Sequence, residues 1–168
     1  QAIWHRGAVD ADGMTGDGAG IHLQIPKEFF YDQIRRTGHE PDTEKMIAVG
    51  QFFLPRSDFG AQENCRTIVE SEVLKMGYYI YGWRHVPVDV SCLGEKANAT
   101  RPEIEQILIS NSKDVDEEQF ERELYVIRRR IEKAVAKAAI RDFYICSLSC
   151  RSVIYKGMML AEQVAVFY

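Results

Sequence analysis

The chain has no apolar run approaching the ~20 residues needed to cross a bilayer, which predicts that it has no membrane-spanning helix. It has no excess of positive charge. Its 21 Lys and Arg against 25 Asp and Glu give a net charge of −4, which argues against a general nucleic-acid binder. It has no Cys-x-x-Cys, and its four cysteines do not read as a disulfide framework. Cys65 falls in a helical pattern and Cys92 in a connection. Cys146 and Cys150 share a predicted strand, roughly 13 Å apart at strand rise, too far for a disulfide or a shared zinc. Reduced cysteines of a cytoplasmic protein are the expectation. The histidines, His5, His22, His39 and His85, form neither H-x-H nor H-E-x-x-H, so no metal site is expected. No G-x-S-x-G elbow and no recognisable Cys–His frame occurs. No signal peptide is visible, and no initiator Met opens the chain, which is read as a piece incomplete at both ends.

What is present is an ordinary globular composition. A hydrophobic fraction of 46% with 27% charged residues in 168 residues predicts one domain over residues 1–168 with a sizeable core. Gln1 to His5 reads as the last turn of a helix and residues 7–17 as loop. Ile21 to Ile25 alternates as a half-buried strand, with His22 facing solvent or a polar layer. Pro26 opens a helix carrying Phe29, Phe30 and Ile34 and ending at Gly38. Met46 to Leu54 is a strand. Residues 58–76 are a helix with Cys65, Ile68, Val69, Val73 and Met76 on one stripe and Gly77 as its C-cap. Tyr78 to Trp83 is a strand, 87–102 a long connection and Glu103 to Ser110 another strand. Residues 117–138 give the clearest helix. Asp116 caps it with Gln119 three residues on, and Phe120, Leu124, Ile127, Ile131, Val135 and Ala138 form one buried face. Strands follow at Phe143 to Cys150 and Ser152 to Tyr155, and a helix at 159–167. The mixture predicts an α/β or α+β fold.

Two motifs invite a functional reading and receive a plainer one. Gly16-Asp17-Gly18-Ala19-Gly20 is followed by a strand, and Pro26 intervenes before any helix, so the dinucleotide-binding order is absent. Its glycines are expected to serve positive φ or a close approach of backbone. Arg128-Arg129-Arg130 point about 100° apart on a helix. With Glu118 four before Arg122 and Glu132 four after Arg128, they read as a solvated, ion-paired face. Asn98-Ala99-Thr100 matches a glycosylation triplet that means nothing without secretion.

Several segments taken together resemble the glutaminase domain of glutamate synthase, in the large subunit of the bacterial NADPH-dependent type. They are Trp4-His5-Arg6-Gly7-Ala8, Asp10-Ala11-Asp12, Thr15 to Ile21, GYYIYGW (77–83), GEKANATRPEIEQ (94–106), YVIRRRIEK (125–133) and FYICSLSCRSVIYKG (143–157). The resemblance spans essentially the whole chain. The His-Arg-Gly motif by itself is less specific, because it recurs across class II glutamine amidotransferases.

The resemblance implies an α+β fold, the N-terminal-nucleophile hydrolase α-β-β-α sandwich. It also implies a reaction in which a terminal cysteine hydrolyses glutamine to glutamate and ammonia. The ammonia then serves the reductive amination of 2-oxoglutarate in a flavin domain. The cofactors so implied lie outside this segment: FMN and an iron–sulfur cluster in the same subunit, FAD and NADPH on a partner subunit. Partners implied are glutamine, the remaining domains of the large subunit and the small subunit, with no nucleic acid and no membrane, in the cytoplasm. Of the family's active-site parts, Arg6 carries over, as the arginine that organises the terminal cysteine. An ordinary ion-pair arginine is its alternative. The terminal cysteine and the Asn-Gly oxyanion hole are expected upstream of Gln1 and beyond Tyr168, so the segment alone is expected to be inactive. Unpaired sheet edges are expected to favour self-association. Two rival readings are a class II amidotransferase of another pathway and a non-catalytic paralogue acting as a structural or regulatory module.

Overall fold

The computed structural model describes residues 8–168, so the helical turn expected at Gln1 to His5 lies outside the described residues. In chain order the elements are β1 (Ala19–Gln24), α1 (Lys27–Arg36), β2 (Ile47–Leu54), α2 (Phe59–Lys75), β3 (Tyr79–His85), α3 (Glu95–Ala99), β4 (Glu103–Ser110), α4 (Glu117–Lys137), β5 (Tyr144–Ser149), β6 (Ser152–Gly157) and α5 (Val164–Phe167). Short 3₁₀ turns lie at Val90–Cys92 and Ala161–Gln163. The chain forms two compact units. The larger comprises 23–85 and 102–153; the smaller brings 86–101 and 154–168 together with the residues up to 22.

The larger unit is built on a four-stranded antiparallel sheet in the order β3-β4-β2-β5. Ala48, Phe52 and Leu54 of β2 share one buried cluster with Ile107 and Ile109 of β4 and Ile145 and Leu148 of β5. Cys65, Val69 and Val73 of α2 complete it, with Phe120, Leu124, Ile127, Ile131 and Val135 of α4. Each of the buried Val, Leu, Ile and Phe side chains contributes about 1.5–3 kcal/mol relative to exposure. Gly50 sits in tight packing, since a Cβ there would lie 2.5 Å from the Phe52 ring, 2.8 Å from Ile107 Cγ2 and 3.0 Å from Leu148 Cδ1. The strand register shifts between Gln51 and Phe52 where β2 meets β5, a bulge in the centre of the sheet.

Helix ends follow the capping chemistry. Asp58 accepts a hydrogen bond from Ala61 N at 2.9 Å, and Asp116 one from Gln119 N at 2.8 Å. Half of the box expected at α4 forms, because the Gln119 side chain donates forward to Glu123 at 2.7 Å. α2 ends at Lys75 with Met76 as its cap, and Gly77 follows at φ +82°, the left-handed glycine expected just past a helix C-terminus.

A polar line crosses the sheet. Arg84 Nε donates to Gln33 and its Nη1 to Gln106 Oε1 at 2.8 Å, while Gln106 Nε2 donates to Gln51 Oε1 at 2.6 Å. Gln51 and Gln106 are fully buried, so these bonds offset desolvation that would otherwise be costly.

In the smaller unit β1 pairs with β6 as a two-stranded sheet. The half-buried strand expected near Ile21 is present but mostly exposed, His22 included. A two-stranded ribbon has one partner strand and no second layer of its own to bury an alternating face. The connection at 87–102 is not structureless, since it folds into the first 3₁₀ turn and α3. The helix expected over 159–167 is instead the second 3₁₀ turn followed by the four residues of α5. Among the described residues no helix is long and apolar enough to cross a membrane.

Candidate functional site

Residues 8–17 form a small hairpin closed by a bridge between Val9 and Gly16. Asp10 N donates to Thr15 O at 2.9 Å and Asp17 N to Ala8 O at 3.2 Å. Inside the turn Asp12 accepts from Met14 N, from Thr15 N at 2.7 Å and from Thr15 Oγ1 at 2.5 Å. Three bonds to the ionised form hold the Asp12 carboxyl below its ordinary range, with the Thr15 hydroxyl the largest cause. The Lys96 ammonium, 2.6 Å from Asp10 Oδ2, lowers the Asp10 carboxyl in the same sense.

The glycines of the loop serve close approach, as the sequence leads one to expect. A Cβ on Gly16 would lie 2.6 Å from Met159 O, and one on Gly20 would lie 2.8 Å from Tyr155 O. Gly18 has φ +138°. Gly94 packs so tightly on the hairpin that a Cβ there would collide with the Asp12 and Thr15 side chains and come within 2.8 Å of Thr15 N. The motif segments at 10–21, 94–101 and 154–157 therefore meet within one unit.

Gln163 joins the pieces. Its Nε2 donates to Met14 O at 3.0 Å and to Cys92 O at 2.5 Å, and its Oε1 accepts from Leu160 N at 2.6 Å. Two carbonyls on one side and an N–H on the other fix which end of the amide is nitrogen. Sequence reading passed over this residue, because a single Gln in a short C-terminal helix carries no motif. Asp89 N donates to Phe167 O at 2.9 Å and Tyr168 Oη to Lys156 O at 2.7 Å, closing the unit.

Arg6, the residue that the resemblance marks as functional, lies outside the described residues. The four cysteines are free thiols. Burial pushes Cys65 up to about 11. Burial, then the Glu121 carboxylate 3.1 Å from its sulfur, pushes Cys150 up to about 12. Burial and Asp89 raise Cys92 as well. A raised thiol pKa is the opposite of what a nucleophile needs.

Arg128 to Arg130 do not form a common patch. Arg128 pairs with Glu132 at 3.0 Å, as expected, and also donates to Ile145 O at 3.0 Å. Glu118 does not pair with Arg122; it accepts from Arg151, 33 residues further along, at 2.5 Å. His85, Glu103 and Glu105 bring potential metal-ligand atoms within 4.8 Å of one another. These groups are already engaged, His85 with Glu103 at 2.6 Å and Glu105 with the Arg66 guanidinium, so the trio reads as an ion-pair network.

Comparison with known proteins bears on the whole chain. The family model for class II glutamine amidotransferases matches residues 1–168. The chain is 65% identical over its full length to the NADPH glutamate synthase large chain of Azospirillum brasilense, of which it covers 11%. It is 38% identical over 165 residues, 98% of its length, to ferredoxin-dependent glutamate synthase 1 of Arabidopsis thaliana. The same identity and coverage hold for ferredoxin-dependent glutamate synthase 2 of Synechocystis, and the chain spans 10% of each of these two relatives. The chain belongs to the class II glutamine amidotransferases, a family of N-terminal-nucleophile hydrolases, and it is similar in particular to glutamate synthases.

Proposed function

We propose that residues 1–168 are part of the glutaminase domain of a glutamate synthase large chain. That domain hydrolyses glutamine to glutamate and ammonia, and the ammonia is used elsewhere in the protein to aminate 2-oxoglutarate reductively. The observation that carries this reading is the 65% identity, over all 168 residues, to a chain named as an NADPH glutamate synthase. In this reading FMN and an iron–sulfur cluster belong to other domains of the large chain, and FAD with NADPH to a small subunit. The protein works in the cytoplasm, as the resemblance to the bacterial form implies.

The chemistry requires an N-terminal cysteine. Its α-amine, ordinarily near pKa ~8, takes the proton of a thiol near ~8.5. The thiolate attacks the side-chain amide carbon of glutamine. The C–N bond breaks as the leaving nitrogen is protonated to ammonia, and water hydrolyses the resulting thioester to glutamate. None of the four cysteines here is a terminal one, and the raised thiols of Cys65, Cys92 and Cys150 are unsuited to the task. This polypeptide by itself is therefore read as inactive.

Arg6 is the residue we place in the machinery, organising the terminal cysteine. In the large chain Arg6→Ala is expected to reduce glutamine-dependent glutamate formation by roughly 10²-fold, the usual scale of a misplaced reacting group. Ammonia supplied directly bypasses the lesion. Arg6→Lys restores little, since an ammonium lacks the planar fork of donors. Parallel assays with glutamine and with ammonia on one soluble preparation decide it: equal loss in both would make Arg6 an ordinary ion-pair residue.

Self-association of the 168-residue chain is part of the same proposal. Ile21 and Leu23 of β1 are 45% and 39% exposed, and two-stranded sheets with apolar exposed edges invite pairing. Sedimentation equilibrium is expected to show dimers or larger species, reduced by Ile21→Lys. A monodisperse monomer at high concentration counts against it.

A further inference from the structure

We propose that the outward face of α4 docks the α4 of a second copy of the chain, with the two helices antiparallel about a two-fold axis. The inference rests neither on the glutaminase reading nor on pairing through β1.

At 100° per residue, Glu118, Arg122, Tyr125, Val126, Arg129 and Lys133 lie within about 50° of one line along the helix. That line runs opposite the buried face of Phe120, Leu124, Ile127, Ile131 and Val135. All six residues are exposed. Tyr125 is 63% exposed and Val126 40%, near the middle of a 21-residue helix whose outer face would otherwise be polar. Tyrosine and arginine are the side chains enriched where proteins meet.

Charge is segregated along the same helix. The stretch 114–118 holds four acids and no base, while 128–137 holds five bases against the single acid Glu132. The helix macrodipole favours such charges within the first and last turns. It does not reach Arg129, about two turns from the C-terminal end, and it does not explain an exposed Tyr125. Charges arranged in this way repel a parallel copy and attract an antiparallel one.

A two-fold contact pairs residue i with j and j with i. Setting Glu118 against Arg129 of the second copy fixes the register. Arg122 then faces Tyr125 of the second copy, guanidinium over ring, and each contact occurs twice. A shift that brought Arg122 opposite Arg129 would set like charges together. Glu118 already gives one oxygen to Arg151, and Arg129 one nitrogen to Glu132. Both pairs are exposed and contribute little, so a facing charge can share them. The helix is ~30 Å long, and a strip ~10 Å wide buries about 600 Å² over both copies, half of what a stable complex buries. The pair is therefore weak and forms at high protein concentration.

The test is made in the full-length protein that carries these residues. Val126→Cys, near the axis, is expected to let a short bis-maleimide join two copies, above the level given by the native cysteines. Lys137→Cys, ~40 Å from its mate in an antiparallel pair, is expected to join none. In the Val126→Cys background, Glu118→Lys and Arg129→Glu are each expected to weaken association ~10-fold, because symmetry spoils two contacts at once. Glu118→Lys/Arg129→Glu together restore the complementarity and recover the crosslink. Tyr125→Ala loses it without a change of charge, and decides where a charge variant does not fold.

No crosslink through Val126→Cys at the highest soluble concentration would overturn the inference. Equal crosslinking through Lys137→Cys would do the same, since it marks a parallel pair or random collision. A double variant no better than Arg129→Glu by itself would show that the two charges do not meet. A crosslink joining Val126→Cys to another segment of the same polypeptide, identified by mass spectrometry, would show that this segment covers the face in place of a second copy.

Discussion

Replacing Phe120 by alanine is expected to destabilise the larger unit by about 3–5 kcal/mol, the range for truncating a buried aromatic. Phe120 has no solvent exposure and sits in the first turn of α4, which Asp116 caps. Its ring lies 4.8 Å from that of Tyr78, at an interplanar angle of 39°. Tyr78 cannot move to fill the void freely. Its hydroxyl donates to Glu123 at 2.8 Å, and Lys113 Nζ stands 4.9 Å from its ring centroid. A cavity that cannot collapse gives the upper part of the range. Phe120→Leu keeps most of the volume and is expected to lose about 1 kcal/mol. Urea unfolding followed by circular dichroism checks both, with m unchanged if the unfolded state is the same. A loss below about 1 kcal/mol for Phe120→Ala would mean that α4 and the start of β3 repack around the gap.

That core was legible because its signals are local and repeated. In α4 the buried residues Phe120, Leu124, Ile127, Ile131 and Val135 recur by threes and fours over about four turns. The cap stands immediately before them, so neither partner nor sheet is needed to read it. Ala138, expected on the same face, is instead the exposed C-cap. β2 was legible as an apolar run of strand length, and β4 as a short stretch of similar length with Ile107-Leu108-Ile109 near its end. What failed depended on distant residues. α3 is five residues long, too short for a period to show. It is flanked by Gly94, tight against Asp12 and Thr15, and carries Lys96, paired with Asp10, residues some eighty positions earlier. Glu118 has Arg122 at the ideal helical spacing, yet the fold brings Arg151 to it instead. β1 alternates like a half-buried strand, but its partner β6 lies far along the chain and His22, Ile21 and Leu23 are all exposed. The functional reading came from motif resemblance rather than from chemistry visible in the residues. Arg6 was read in that way, and Gln163 could be noticed after the hairpin and both other segments were seen to meet.

The pair formed by Arg66 and Glu105 offers a second large effect, with its own control. Arg66 Nε donates to Glu105 Oε2 at 2.8 Å and Nη2 to Oε1 at 2.5 Å, a bidentate fork between α2 and β4. The Glu105 side chain is 9% exposed and that of Arg66 21%. The Glu105 hydrogen bonds are the first cause of an Arg66 guanidinium held more firmly protonated than usual. Glu63 also reaches Arg66 from the solvent side. Removing the arginine strands a carboxylate that is nearly buried, beside Glu103, another acid. Arg66→Met is therefore expected to cost about 3–5 kcal/mol, because breaking a buried pair leaves an uncompensated charge. Glu105→Leu by itself is expected to cost less, since the longer arginine can swing toward Glu63 and solvent. The double variant Arg66→Met/Glu105→Leu is the deciding measurement. Apolar replacement of a whole buried pair is often neutral, so it is expected to recover most of the stability lost in Arg66→Met. A double variant as unstable as the two losses added together would show that the fork itself, and not the stranded charge, holds α2 on the sheet.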